Sequence, residues 1–166
     1  MCYTVDKKKG ERVMKNLNTK AIYFDMDGTI ANLYGVIGWL EMIIAREVTP
    51  YTNATPMVKM NVLARLLNKL QKNGWTIGIV SWTAKNSTVE YNERIAKAKI
   101  TWLKTHLKSV NFDEIHIVEY GTPKATVVDM PNGILFDDEE PNRNAWVGTA
   151  YDVNNIIEIL KNLYKY

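Results

Sequence analysis

Five short apolar segments recur along the chain with longer amphipathic segments between them, and this alternation constrains the fold more than any other feature. The segments are AIYF, WTIGIV, IHIVEY, GILF and AWVGTA, which begin at Ala21, Trp75, Ile115, Gly133 and Ala145. They are apolar along their length rather than at every second position, which is typical of parallel strands buried on both faces. The pattern predicts an α/β fold, a doubly wound, mostly parallel sheet with helices on both faces.

The segments between the strands predict helices. Residues 58–73 and 88–107 predict two long ones, and Gly74 suits the end of the first. Residues 36–46 have helical spacing, TPYTNATP after them predicts a loop, and PKATVV from Pro123 predicts a short helix. We expect the last helix to begin at Asp152, a good N-cap residue.

Composition narrows the class of protein. The 166 residues suit one domain over residues 1–166. Cys2 is the only cysteine, which excludes an intrachain disulfide and a thiolate metal cluster. The chain has two histidines, so a histidine-rich zinc site is not expected. Neither a P-loop motif nor a dinucleotide-binding glycine motif occurs.

No apolar run has the length of a membrane span, and the N-terminal residues lack the apolar core of a signal peptide, so we expect a cytoplasmic protein without a membrane partner. Residues 1–20 are rich in lysine and predict a solvated leader or a short helix, with a nucleic-acid arm as the alternative. The net charge of +3 suits an anionic substrate, but many proteins with other functions have a similar charge.

Polar residues follow the predicted strands. The carboxyl ends of parallel strands meet at one edge of a sheet, and ligands bind at that edge. These residues are Asp25, Asp27, Ser81, Thr83, Lys124, Asp137 and Asp138. A carboxylate cluster without cysteine or histidine suits a hard cation bound by oxygen, most plausibly Mg²⁺. The alternative for Asp25 and Asp27 is an ordinary acidic turn, but such a turn does not need these partners.

The spacing of Asp25 and Asp27 points toward phosphoryl transfer. Two carboxylates one residue apart at a strand end repel each other unless a cation or a proton compensates them. If Mg²⁺ binds one oxygen of Asp25 and Asp137 or Asp138 holds it from the other side, the second oxygen of Asp25 stays free to attack. Lys124 and Ser81 would then neutralise and hydrogen-bond the phosphoryl oxygens.

The motifs DMDGT after a strand, Ser81, Lys124 and FDD resemble the four motifs of the haloacid dehalogenase superfamily of phosphohydrolases, over residues 20–150. The resemblance implies that Asp25 is a nucleophile that forms an aspartyl-phosphate and that Asp27 is the general acid and base. It also implies that Gly28 and Thr29 form the tight turn. Trp82 and Thr83 follow Ser81, and we expect them beside the substrate, with Thr83 the alternative to Ser81.

The same resemblance implies a Mg²⁺ held by Asp25, the main-chain carbonyl of Asp27 and one carboxylate of the fourth motif. Asp138 is preferred for that last ligand, with Asp137 beside it as the alternative.

The lysine of the third motif has competing candidates. Lys97 and Lys99 lie in the middle of a predicted helix, where lysine side chains normally extend into water. Lys124 follows Pro123 at a predicted helix start just after the third strand, and we therefore prefer it.

In this superfamily, an insertion after the first motif often forms a cap that selects substrate, and here only residues 32–57 are available for it. A small cap resembles members that act on nucleotides, nucleic-acid ends or large substrates, and FDD with Asn142 is somewhat like deoxyribonucleotidases and polynucleotide kinase phosphatase domains. We expect a small phosphorylated substrate.

Aromatic residues near the site either stack on a base or pack against the core, namely Tyr34, Trp39, Tyr51 and Trp82.

Two other functions compete with hydrolysis. One is a receiver-like phosphoacceptor domain, but a receiver has its acceptor aspartate after a middle strand, and no aspartate follows WTIGIV here. The other is a catalytically idle relative that serves as a binding protein.

Overall fold

The computed structural model describes residues 3–4 and 19–164, and a six-stranded sheet forms the centre of this part of the chain. The strand order is β1-β6-β5-β2-β7-β8. These strands are β1 (Tyr3–Thr4), β2 (Ala21–Phe24), β5 (Thr76–Trp82), β6 (Glu114–Val118), β7 (Ile134–Phe136) and β8 (Thr149–Tyr151). A separate two-stranded sheet pairs β3 (Ala31–Asn32) with β4 (Thr55–Pro56).

All five predicted strands are present and pair in parallel, which confirms the predicted fold class. The sixth strand corrects the prediction for the N-terminal residues, because Tyr3–Thr4 pairs antiparallel with β6. The rest of the predicted leader, residues 5–18, lies outside the described residues.

The described residues contain six α-helices. They are α1 (Trp39–Ile44), α2 (Thr49–Asn53), α3 (Met60–Lys72), α4 (Val89–His106), α5 (Glu140–Ala145) and α6 (Ile156–Tyr164). The long helices α3 and α4 lie where periodicity predicted them, and Thr88 caps α4 by accepting the Tyr91 N–H. The last helix begins at Ile156 rather than at Asp152, because the Asp152 side chain accepts the Asn154 N–H in a turn that precedes α6.

The central strand β2 determines where the functional residues lie. Its Phe24 is in register with Ile79 of β5 and with Phe136 of β7. The residues that follow these strands therefore reach the same edge of the sheet. The Asp25 N–H extends this pairing by donating to the Phe136 carbonyl at 2.9 Å.

Both faces of the sheet are covered. On one face, Ile22 and Phe24 share a hydrophobic core with Leu67 of α3, Leu103 of α4 and Leu160 of α6. On the other face, the smaller core packs strand residues against an irregular segment and a tryptophan, namely Tyr23, Val80, Leu135, Val128 and Trp146. No helix in the described part of the chain is long and apolar enough to cross a membrane.

The insertion after β2 differs from its prediction in two ways. Gly38 adopts a left-handed conformation, φ +73°, so the predicted helix over 36–46 is shortened to α1. The predicted loop at 49–56 contains α2, with Pro50 in its first turn, and strand β4. The β3–β4 pairing joins the two ends of the insertion at its base.

Candidate active site

The first acidic turn is built around one main-chain carbonyl. The Met26 carbonyl accepts the N–H groups of Thr29, Ile30 and Ala31 at 2.9–3.1 Å, which turns the chain sharply after β2. Gly28 has a φ of +71°, and a Cβ there would lie 2.7 Å from a Tyr34 ring carbon. Glycine is therefore required on both conformational and steric grounds.

Three carboxylates meet at the edge of the sheet. Oxygens of Asp25, Asp137 and Asp138 lie within 4.8 Å of one another. Burial first, and then the negative charges of Asp25 and Asp137, together raise the pKa of Asp138 to about 7. Such a cluster is unfavourable without a compensating cation, and its all-oxygen donor set fits Mg²⁺.

The two adjacent carboxylates of FDD have different surroundings. Asp137 is fully buried and accepts hydrogen bonds from Lys124 at 2.5 Å, the Glu139 N–H at 2.9 Å and the Asn142 amide at 3.2 Å. Asp138 lines the cleft above the sheet edge, and its carboxylate accepts a long hydrogen bond of 3.4 Å from Thr29. Asp138 is therefore the more available of the two as a metal ligand.

Arg143 is a structural residue of the site that sequence reasoning missed. Its guanidinium donates to the carbonyls of Asp137 and Asp138 at 2.9 and 2.7 Å. These bonds fix the main chain that carries both carboxylates. A single arginine in a short helix carries no sequence signal for this role.

Lys124 lies beside two of the three carboxylates. Its Nζ is 2.9 Å from Asp25 Oδ1 and 2.5 Å from Asp137 Oδ2. Burial by itself lowers the pKa of Lys124, but the two carboxylates outweigh that effect and raise it above its ordinary value. The side chain therefore presents a positive charge beside Asp25.

Lys99 contradicts the expectation that the mid-helix lysines extend into water. It is 1% exposed, and its Nζ donates to Asp27 Oδ2 at 2.7 Å, Ser81 Oγ at 2.9 Å and the Trp82 carbonyl at 2.7 Å. Lys97, two residues earlier, is exposed as predicted. The sequence interpretation failed because helical periodicity does not reveal that this part of α4 faces buried acceptors.

Asp27 lies apart from the three-carboxylate cluster and pairs with Lys99 instead. Burial raises the pKa of Asp27, and Lys99 opposes the shift. Its side chain lines the cleft together with that of Asp25.

The two hydroxyl candidates, Ser81 in β5 and Thr83 directly after it, have different surroundings. Ser81 is fully buried, bonded to Lys99, and does not line the cleft. Thr83 is 6% exposed and lines the cleft, and its Oγ1 has no hydrogen-bond partner among the described residues. A buried hydroxyl without a partner is costly, so Thr83 is the candidate with capacity to bind a ligand.

A hydrogen bond fixes the orientation of the Trp82 side chain: its indole N–H donates to the Thr122 carbonyl at 2.8 Å. The Lys124 Nζ lies 5.1 Å from the centroid of its ring, within the range of a cation–π contact. Trp82 thus forms part of the cleft wall beside Lys124.

Comparison with solved structures supports the fold. No family model and no curated protein matches the chain, whereas eight chains of solved structures do. One is D,D-heptose 1,7-bisphosphate phosphatase from Burkholderia thailandensis, with a TM-score of 0.52 and 9% sequence identity over 89% of this chain and 99% of that chain. The chain has the fold of this phosphatase. The likeness agrees with the predicted fold class, an α/β fold with a mostly parallel sheet and helices.

Proposed function

We propose that the protein is a Mg²⁺-dependent phosphomonoester hydrolase that acts through an aspartyl-phosphate on Asp25. The observation that carries the proposal is the position of the Asp25 carboxylate. It lines the cleft, lies 2.9 Å from Lys124 Nζ, and shares a cluster with Asp137 and Asp138. A carboxylate between a cation and a metal-binding cluster suits attack on a phosphoryl group.

In the first step, an Asp25 oxygen attacks phosphorus and the bond from phosphorus to the ester oxygen breaks. The electron pair goes to that oxygen, and Asp27 donates a proton to it. In the second step, water attacks the aspartyl-phosphate while Asp27 takes its proton, which releases inorganic phosphate and regenerates Asp25. Burial raises the pKa of Asp27, which is the direction of shift that suits a proton donor.

Asp25 and Asp138 would hold the Mg²⁺ ion through their carboxylates, and the resemblance adds the main-chain carbonyl of Asp27. When bound, Mg²⁺ supplies positive charge that offsets the charge of the phosphoryl oxygens. Asp137 then serves mainly to position Lys124, with which it shares a hydrogen bond.

The phosphoryl oxygens would meet Lys124 and the hydroxyl of Thr83 in the cleft. Because Ser81 is bonded to Lys99, we assign Ser81 to positioning and Thr83 to substrate binding. The substrate is a small phosphorylated molecule, with nucleotides and nucleic-acid ends as candidates because the insertion is small.

Hydrolysis of p-nitrophenyl phosphate tests the proposal. We expect turnover with Mg²⁺, none with a chelator, and none in Asp25→Asn, which loses the attacking oxygen. Asp129→Asn is the matched control, because Asp129 is an aspartate that does not line the cleft, and it should keep its activity. Folded protein that shows no turnover of any phosphomonoester would favour the competing hypothesis of a catalytically idle binding protein.

A cytoplasmic location belongs to the same proposal. A chain whose only cysteine is Cys2 suits a reducing compartment. Cell fractionation checks this, and recovery outside the cytosolic fraction would contradict it.

A further inference from the structure

A cavity of about 540 Å³ opens above Asp25 and extends well beyond the residues that would hold a phosphoryl group. Cavities of roughly 300–1,000 Å³ are typical of sites for drug-sized organic ligands. The floor carries Asp25, Asp27, Lys124 and Asp138, and the walls come from the insertion and the segments after β5 and β6. The cavity therefore has room for the organic part of a substrate as well as its phosphate.

The wall from the insertion is apolar and uncovered. Tyr34 and Trp39 form an edge-to-face pair with ring centroids 5.0 Å apart, and Leu40 and Ile43 line the cavity beside them. None of the residues of α1 is buried. An uncovered apolar helix at the mouth of a cavity is the kind of surface that binding of a ligand covers.

The wall from the sheet edge is also aromatic. Trp82 and Tyr120 pack with centroids 4.9 Å apart, and Tyr120 is 47% exposed. Polar side chains also line the cavity, namely Arg46 from the insertion and Asn86 and Ser87 from the segment after β5. Ring faces together with a few polar groups match a planar heteroaromatic ligand, whose faces stack and whose edge forms hydrogen bonds.

A sugar phosphate matches these walls poorly. Each buried hydroxyl of such a leaving group needs a hydrogen-bond partner, and the ring faces of Tyr34, Trp39, Trp82 and Tyr120 offer none, which leaves only the few polar groups of the lining to serve a sugar that carries many hydroxyls. The neighbour whose fold this chain shares acts, by its name, on a heptose bisphosphate. The cavity walls argue for a different substrate class here.

We infer that the cavity binds the leaving group through a planar aromatic base, so that the substrate class is a nucleoside monophosphate. This inference rests on the proposed function and specifies the substrate of the same site. The aromatic pairs Tyr34–Trp39 and Trp82–Tyr120 contact the base, while the phosphate lies at Asp25.

Comparison of adenosine 5′-monophosphate with ribose 5-phosphate isolates the base, because both place the phosphate on the same ribose carbon. We expect kcat/KM to be about tenfold to hundredfold higher for the nucleotide, the range that stacking of one base on aromatic residues supports. Equal values for the two compounds, with both hydrolysed, would overturn the inference and leave the proposed function intact.

Variants connect this preference to the aromatic residues. In Trp39→Leu and Tyr120→Leu, the ratio of kcat/KM for the nucleotide to that for ribose 5-phosphate should fall toward one. Tyr164→Leu is the matched control, because Tyr164 is 44% exposed on α6 and does not line the cavity, and its ratio should equal that of the wild type. An unchanged ratio in both test variants contradicts the inference.

Binding separates this inference from a failure of the proposed function. Calorimetry with Asp25→Asn and Mg²⁺ should give tighter binding of adenosine 5′-monophosphate than of ribose 5-phosphate, whether or not the wild type turns either over. Equal affinities would refute the base-binding site. Preferential nucleotide binding, together with no turnover of any phosphomonoester by the folded wild type, would support the site while refuting the proposed enzymatic activity.

Discussion

Lys99 Nζ donates a 2.7 Å hydrogen bond to Asp27 Oδ2, joining the middle of α4 to the first acidic turn across 72 residues of sequence. The same ammonium also bonds Ser81 and the Trp82 carbonyl. One buried cation thus sets the position of three groups around the cleft. Removing one partner of such a buried pair leaves the other charge uncompensated.

Lys99→Met should lower both stability and activity. Breaking a buried ion pair costs about 3–5 kcal/mol, so we expect a large drop in the free energy of unfolding, measured by urea denaturation. We also expect kcat to fall more than KM changes, because Asp27 loses its orientation. Lys97→Ala, the exposed neighbour, is the control and should stay within a few-fold of wild type. A Lys99→Met enzyme with unchanged stability and kcat would contradict this role.

Asp27→Asn tests the general acid. Its loss should lower turnover of alkyl phosphates by about 10²–10⁴-fold, the usual contribution of a positioned acid or base. The loss at the phosphorylation step should be smaller for aryl phosphates, since their leaving groups need no proton. Single-turnover kinetics with both substrate types measures the difference, and equal losses would exclude proton donation by Asp27.

Lys124→Ala tests the charge beside the nucleophile. We expect kcat/KM to fall by about 10²-fold or more, as when a preorganised charge-stabilising donor is removed. Lys69→Ala is a suitable control, because the Lys69 ammonium lies over the ring of Tyr164 and does not line the cleft. Near wild-type kinetics in Lys124→Ala would move the phosphate-binding role to Lys99.

Thr83→Val, compared with Ser81→Ala, distinguishes the roles of the two hydroxyls at the end of β5. The unpartnered Thr83 hydroxyl should contact the phosphoryl group, so its removal should lower kcat/KM while leaving the melting temperature close to that of the wild type. Ser81→Ala should instead lower stability, because Ser81 is fully buried and bonded to Lys99. The reverse pattern would assign substrate binding to Ser81.

Mg²⁺ binding should depend on pH through Asp138. Its pKa of about 7 in the metal-free protein means that the carboxyl is protonated below that pH and must lose its proton to bind the ion. The apparent affinity should therefore weaken as pH falls below about 7, approaching tenfold per unit, and Asp138→Asn should remove most of both the affinity and this dependence. Calorimetric titration between pH 6 and 8 measures it. An affinity independent of pH would place the ion elsewhere.

The residues directly after parallel strands were the most predictable part of the site. Continuous apolar runs identify the strands, and the register of Phe24 with Phe136 brings Asp25 and Asp137 to one edge. Local pattern suffices here because a parallel sheet aligns its strand ends. The sequence therefore predicted the carboxylate cluster and the fold from short segments alone.

Residues that act from the middle of an element were not predictable in this way. Lys99 fits the helical pattern of a solvated lysine, and its burial depends on which residues α4 packs against. The apolar residues of the insertion posed the converse problem. Leu40 and Ile44 have core-like spacing but are 48% and 73% exposed and line the cleft, since periodicity does not distinguish packing on a core from lining a cleft.

The pairing of β3 with β4 brings residues 31–32 and 55–56 side by side, although the whole insertion lies between them. A segment whose two ends are adjacent can be lengthened, shortened or replaced without changing the distance that the flanking chain must span. The sheet and its carboxylates can therefore stay unchanged while the insertion varies. Transplanting residues 33–54 into another chain with the same β3–β4 pairing would transfer the Tyr34–Trp39 pair as one unit. Substrate preference could therefore diverge in evolution while the hydrolytic residues stayed in place.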